Sequence, residues 1–67
     1  MKYKNDYQNR VVEEKLQLDI KIKALGDFCN TPIFNSLPAE EFRMLNEQFV
    51  IMEALSTILG DRIAAFK

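Results

Sequence analysis

The sequence predicts an all-α chain, an antiparallel helical hairpin with a short connecting helix, assembling into a homo-oligomeric helical bundle. Three observations carry that reading. Apolar residues recur at helical spacings through two long stretches, a single segment of helix breakers divides them, and each stretch carries more apolar surface than one partner helix can cover. The chain is read as a single helical domain over residues 1–67, with helices near 4–28, 32–36 and 38–66.

In the first stretch Tyr7, Val11, Leu18, Ile22 and Leu25 fall at spacings of three, four and seven and form one apolar stripe, the expected seam of the hairpin. Val12, Leu16 and Ile20 form a second stripe at successive i, i+4 steps. At about 100° per residue that stripe falls on roughly the opposite side of the helix.

The interruption runs from Cys29 to Pro38. Thr31 before Pro32 reads as an N-cap followed by the first position of a short helix. Ser36 with Pro38 and the acidic pair Glu40 and Glu41 reads as the start of the second long helix. In that helix Phe42, Leu45, Phe49, Met52, Leu59, Ile63 and Phe66 form one stripe, with Met44, Ile51, Leu55 and Ile58 beside it. Leaving the outer stripes in water would forfeit on the order of 25 cal/mol per Å², so burial against other copies is expected. The competing reading is that the elbow folds over them.

Association also answers a problem of size. A 67-residue chain is near the lower limit at which one hydrophobic core suffices, and Cys29, the only cysteine, can form no internal disulfide. Histidine is absent, so a lone thiolate falls short of a structural zinc site. With 48% hydrophobic and 28% charged residues and a net charge of −1, the composition is that of a folded chain. The opening segment MKYKNDYQNR has no apolar signal core, and no run approaches the ~20 apolar residues that span a bilayer. A cytosolic chain without a membrane partner is expected.

Catalytic chemistry finds little support. No Ser, Cys or Lys comes with a recognisable base at motif spacing. The pairs Glu13 with Glu14 and Glu40 with Glu41 have structural readings, as a solvated helix face and as charge answering a helix dipole. Cys29 reads as a small buried hydrophobe rather than a nucleophile. Gly26 and Gly60 stand alone, so there is no glycine-rich phosphate loop; each costs about 1 kcal/mol in a helix relative to Ala, and they are read as points of close helix contact.

Binding chemistry is better represented. Six of the nine basic residues lie in the first 29 positions, giving that part a net charge of +1 against −2 for the rest, a local patch rather than the broad basic surface of a DNA binder. Tyr3, Arg10 and Lys21 are expected to share one side of helix 1, with Tyr7 at its border with the seam and Lys23 nearby. A tyrosine ring can stack on a base while guanidinium and ammonium groups meet phosphates, which suits a small nucleotide ligand. Solvated lysines and a packed tyrosine are the alternative.

The run Tyr7-Gln8-Asn9-Arg10-Val11-Val12-Glu13-Glu14, then Leu18, Lys21 to Leu25 and Phe28, then Pro32-Ile33-Phe34, Leu37-Pro38, Glu40-Glu41, Leu45, Gln48, Met52, Ile58-Leu59, Arg62-Ile63 and Phe66, resembles the small phage anti-CBASS sponge proteins over nearly the whole chain. The resemblance implies a compact helical subunit of a homohexamer in the cytoplasm of the infected bacterial host. Such an assembly sequesters the cyclic di- and trinucleotides of CBASS immunity without cleaving them and needs no cofactor. It further implies dinucleotide pockets between subunits, using a tyrosine near the start of helix 1 and a lysine further along it. Tyr7 matches the first, and Lys21 and Lys23 compete for the second, with Lys21 favoured because it shares a side with Arg10 and Tyr3. The runner-up is a phage-encoded helical interaction module that binds a host or virion protein through the outer stripe and takes no nucleotide.

Overall fold

The computed structural model describes residues 3–67; Met1 and Lys2, the latter one of the six basic residues of the first part, lie outside the described residues. Three helices follow in order, α1 over Asp6–Cys29, α2 over Pro32–Asn35 and α3 over Ala39–Ala64. The two long helices pack as a hairpin and α2 turns the chain between them, an elongated unit measuring 47 × 16 × 14 Å.

Helix α1 begins two residues later than the periodicity predicts, because Asn5 is extended (φ −97°, ψ 138°) and its carbonyl accepts the first turn's amides, from Gln8 at 3.1 Å and Asn9 at 3.3 Å. Asp6 supplies an acidic group in that first turn, where the helix dipole favours it. Tyr3 therefore precedes the helix and does not share a face of it with Arg10 and Lys21, which corrects the expectation from the helical wheel. Thr31 caps α2 as expected: its Oγ1 accepts from the Phe34 amide at 3.4 Å and donates to the Phe28 carbonyl at 2.7 Å, and Pro32 occupies the first turn.

Ser36 behaves differently from its expected role. It closes α2, donating from Oγ to the Ile33 carbonyl at 2.8 Å, and α3 begins after Pro38 without a side-chain cap. Glu40 and Glu41 still fall in the first turn of α3. At its other end α3 stops at Ala64, and Phe66, expected inside the helix, lies just beyond it with its amide donating to the Ile63 carbonyl at 3.1 Å.

The seam is narrow. Val11, Phe34 and Leu59 are the buried apolar residues among those described, while Leu18, Ile22, Leu25, Leu45, Phe49, Met52 and Ile63 are half-buried along it. At the elbow Phe34 packs between Phe28, with ring centroids 5.9 Å apart, and Phe42, at 4.5 Å. Both glycines sit where the helices approach each other. A Cβ on Gly26 would lie 3.5 Å from the Phe49 ring, and one on Gly60 would lie 3.3 Å from the Lys15 stem.

The outer stripes are open. Leu16 and Ile20 on α1, and Met44, Ile51, Leu55 and Ile58 on α3, are all exposed, and Val12 is half-buried. Helix α2 contacts the elbow end of α1 and leaves these stripes uncovered, so the reading in which the elbow folds over them does not hold. Among the described residues no helix is long and apolar enough to cross a membrane.

Candidate functional site

Arg10 and Lys21 lie eleven residues apart on α1, and at 100° per residue they fall within about 20° of each other on the same side of the helix. Tyr7, one turn before Arg10, borders them. Sequence periodicity places Tyr7 in the seam, but the structure leaves it 54% exposed, with Val11 taking the buried position next along the stripe. Its ring is nonetheless in contact: the centroid is 5.9 Å from that of Phe66, with the planes inclined at 69°.

Tyr3 reaches the same end of the hairpin from outside the helix. Its ring meets Phe66 at 5.4 Å with planes at 80°, and its backbone is held by the Asn9 side chain. The Tyr3 amide donates to Asn9 Oδ1 at 3.0 Å, and Asn9 Nδ2 donates to the Tyr3 carbonyl at 2.8 Å. Asn9 is buried in consequence, as is the neighbouring Gln8.

The cations of α1 divide by their partners. Lys15 is engaged twice, with Asp19 Oδ2 at 2.7 Å one turn on and with Ser56 Oγ of α3 at 3.1 Å. Ser56 in turn donates to Asp19 Oδ1, closing a polar triad at one edge of the seam. The Lys15 and Ser56 hydrogen bonds hold the Asp19 carboxyl below its ordinary range. Lys23 pairs with Asp27 at 3.2 Å on the exposed surface. Arg10 and Lys21 make no salt bridge among the described residues.

Two shallow depressions accompany these unpaired cations. Arg10 borders one of about 280 Å³ with Asp6, Asn9 and Glu13. Lys21 borders another of about 230 Å³ with Glu14, Gln17, Leu18 and, across the seam, Leu55 of α3. The five residues expected from sequence thus separate into an aromatic end with Tyr3, Tyr7 and Arg10, a mid-helix groove with Lys21, and Lys23 on a different side of α1. At about 1.5 Å per residue, Tyr7 and Lys21 of one chain are roughly 21 Å apart along the axis.

Asn9 and Phe66 belong to this region and were not among the expected site residues. The signal for Phe66 was its place at the end of the α3 stripe. Asn9 carried none, since nothing in the local sequence says that its amide will bond to a backbone six residues away. Cys29 is half-buried at the end of α1, and among the described residues no group of three or more His, Cys, Asp or Glu is arranged to hold a metal ion.

The family model described as Sequestin matches residues 5–65. An uncharacterised 7.5 kDa protein from the denB–rIIB intergenic region of Enterobacteria phage T4 is 43% identical over 61 residues, covering 91% of this chain and 95% of that protein. No solved structure matches.

Proposed function

The chain belongs to the Sequestin family, and from that premise we propose that it is a phage anti-defence protein that sequesters the cyclic di- and trinucleotide messengers of bacterial CBASS immunity without cleaving them. The family and the phage T4 relative favour a non-catalytic phage protein of sequestering type. The observation that carries the finer reading is the coincidence of an exposed tyrosine, Tyr7, with two cations on the same side of α1 that form no salt bridge among the described residues, Arg10 and Lys21. A ring with an open face stacks on a base, and cations without a carboxylate partner are available to phosphates.

The roughly 21 Å between Tyr7 and Lys21 constrains how they act. A compact cyclic dinucleotide cannot stack on one while its phosphates meet the other in the same chain. Tyr7 of one copy and Lys21 of another must converge, so the site requires an oligomer, and the exposed outer stripes supply surface for it. A homohexamer in the cytoplasm of the infected host, with trinucleotides taken at a separate site, completes the reading. Lys21 is preferred to Lys23 because Asp27 already engages the latter.

Calorimetric titration with a panel of cyclic dinucleotides, followed by heat release and chromatography of the ligand, tests this directly. Heat with intact recovered ligand is the expected result. Altered ligand would make the protein an enzyme, and absence of heat across the panel would favour an interaction module that binds a host or virion protein. Base stacking contributes roughly 1–3 kcal/mol and a hydrogen bond to a charged group about 1.5–3 kcal/mol. Tyr7→Ala and Lys21→Ala should therefore each weaken binding about tenfold to a hundredfold with oligomer size unchanged.

A further inference from the structure

We propose that Phe66 is a positioning residue that sets the plane of the Tyr7 ring for base stacking, and that Asn9 supports it by clamping Tyr3 against the same phenylalanine. The inference rests on the reading of Tyr7 as the stacking residue and adds to it how the ring is held.

Tyr7 is 54% exposed, so the core gains little from fixing it, and an isolated surface tyrosine would sample several rotamers. Here it is held edge-to-face. Phe66 meets the Tyr7 ring at 5.9 Å and 69° and the Tyr3 ring at 5.4 Å and 80°, a geometry that aromatic quadrupoles favour. Phe66 itself lies past the end of α3, with its amide bonded to the Ile63 carbonyl at 3.1 Å and its side chain half-buried.

The contribution of Asn9 is a two-point amide clamp. Its Oδ1 accepts from the Tyr3 amide and its Nδ2 donates to the Tyr3 carbonyl, the pairing one strand offers another. A third, longer contact runs from Nδ2 to the Asn5 carbonyl at 3.4 Å. With 6% of its surface exposed and both amide atoms bonded to Tyr3, Asn9 is committed to this contact and offers only an edge to the depression beside Arg10. The segment ahead of α1 is thereby fixed where the Tyr3 ring lies against Phe66. An aromatic ring ordered before the ligand arrives loses less freedom on stacking, which raises affinity without adding a contact.

The test is a mutant cycle read by calorimetry with the cyclic dinucleotide that the panel identifies. Phe66→Leu keeps apolar bulk and removes the aromatic edge; it should weaken binding about three- to tenfold. Phe66→Trp should restore most of that loss. In the Tyr7→Ala background Phe66→Leu should cost less than about twofold further, because Phe66 acts through Tyr7. Asn9→Asp, which keeps the acceptor and removes the donor, should weaken binding in the same direction and reduce the tyrosine near-ultraviolet circular dichroism of the ligand-free protein.

A merely structural role would give equal losses with and without Tyr7 and no rescue by tryptophan, and either result overturns the proposal. If the parent binds and Phe66→Leu binds equally well, the positioning role falls while the sequestering function stands. If the parent binds no cyclic dinucleotide, both fall together.

Discussion

The two edges of the hairpin seam carry the same kind of side chain to different ends. At one edge Lys15 reaches across the hollow beside Gly60 to Ser56 and pairs with Asp19, so its charge is fully engaged in joining α1 to α3. At the other edge Lys21 borders a groove with Leu18 and Leu55 and has no acidic partner within salt-bridge reach among the described residues. A count of basic residues treats the two lysines alike. Their neighbours separate them: Asp19 stands one turn after Lys15, and Leu25 stands one turn after Lys21.

The apolar stripes complete the contrast. Around α1 the exposed Leu16 and Ile20 follow on from the Lys15 and Asp19 edge, whereas the groove of Lys21 is bordered by Leu55 from the exposed stripe of α3. Each edge is thus flanked by apolar surface from a different helix. The hairpin has two unlike faces to offer to other copies, and the unpaired cations accompany only one.

The strongest response should come from the apolar margin beside the Lys15 edge. Leu16 is 53% exposed in the single chain, so Leu16→Glu should leave the hairpin folded, with helicity close to that of the parent. If the α1 stripe is covered by another copy, the same change buries an unpaired carboxylate and should dissociate the assembly outright. Light scattering at micromolar concentration should show a multimer for the parent and a smaller species for the variant. A parent that is a stable 7.8 kDa monomer would sink the oligomeric reading and the shared site that depends on it.

A smaller effect sharpens the division between engaged and available cations. Lys21→Ala should weaken cyclic dinucleotide binding about tenfold to a hundredfold, whereas Lys23→Ala, which removes only an exposed pair with Asp27, should change it less than about twofold. Raising the salt concentration should shrink the Lys21 contribution and leave that of Tyr7 in place. The reverse ranking of the two lysines would move the pocket to the other side of α1.

Much of this was legible in sequence, and the gaps have physical causes. The hairpin, the elbow and the outer stripes follow from apolar spacing, and Thr31 with Pro32 announced α2. The preference for Lys21 rested on a shared helix side, although Asp27 one turn after Lys23 was the stronger signal. That rule has limits, because Arg10 has Glu14 one turn on and forms no salt bridge among the described residues. Periodicity puts Tyr7 in the seam because it gives a direction but says nothing of where the partner helix ends. Tyr3 reads as helical because apolar and basic spacing continues past Asn5, where the backbone turns extended. The links from Lys15 and Asp19 to Ser56 join residues distant along the chain, and the Asn9 clamp fastens a non-helical segment to the first turns of α1, neither of which helical periodicity encodes.

The smallest expected effect concerns that triad and runs through pH. Hydrogen bonds from Lys15 and Ser56 hold the folded Asp19 carboxyl below its ordinary value of 3.8. A carboxylate with a depressed pKa in the folded state contributes stability that is fully present above the unfolded value. That contribution is lost as pH falls from about 3.8 through the lower folded value. Because the Asp19 side chain is only half-buried and reached by water, the loss should be modest, and it should appear as a slope rather than as unfolding. Urea midpoints for the parent should therefore decline over that acidic range more steeply than those of Asp19→Asn, which cannot titrate there. Ser56→Ala should fall between them, since it removes one of the two hydrogen bonds that depress the value and leaves Lys15 in place. If the parent and Asp19→Asn trace parallel curves, the edge facing away from Lys21 is joined by packing and by the Lys15 to Ser56 hydrogen bond without drawing on the carboxylate.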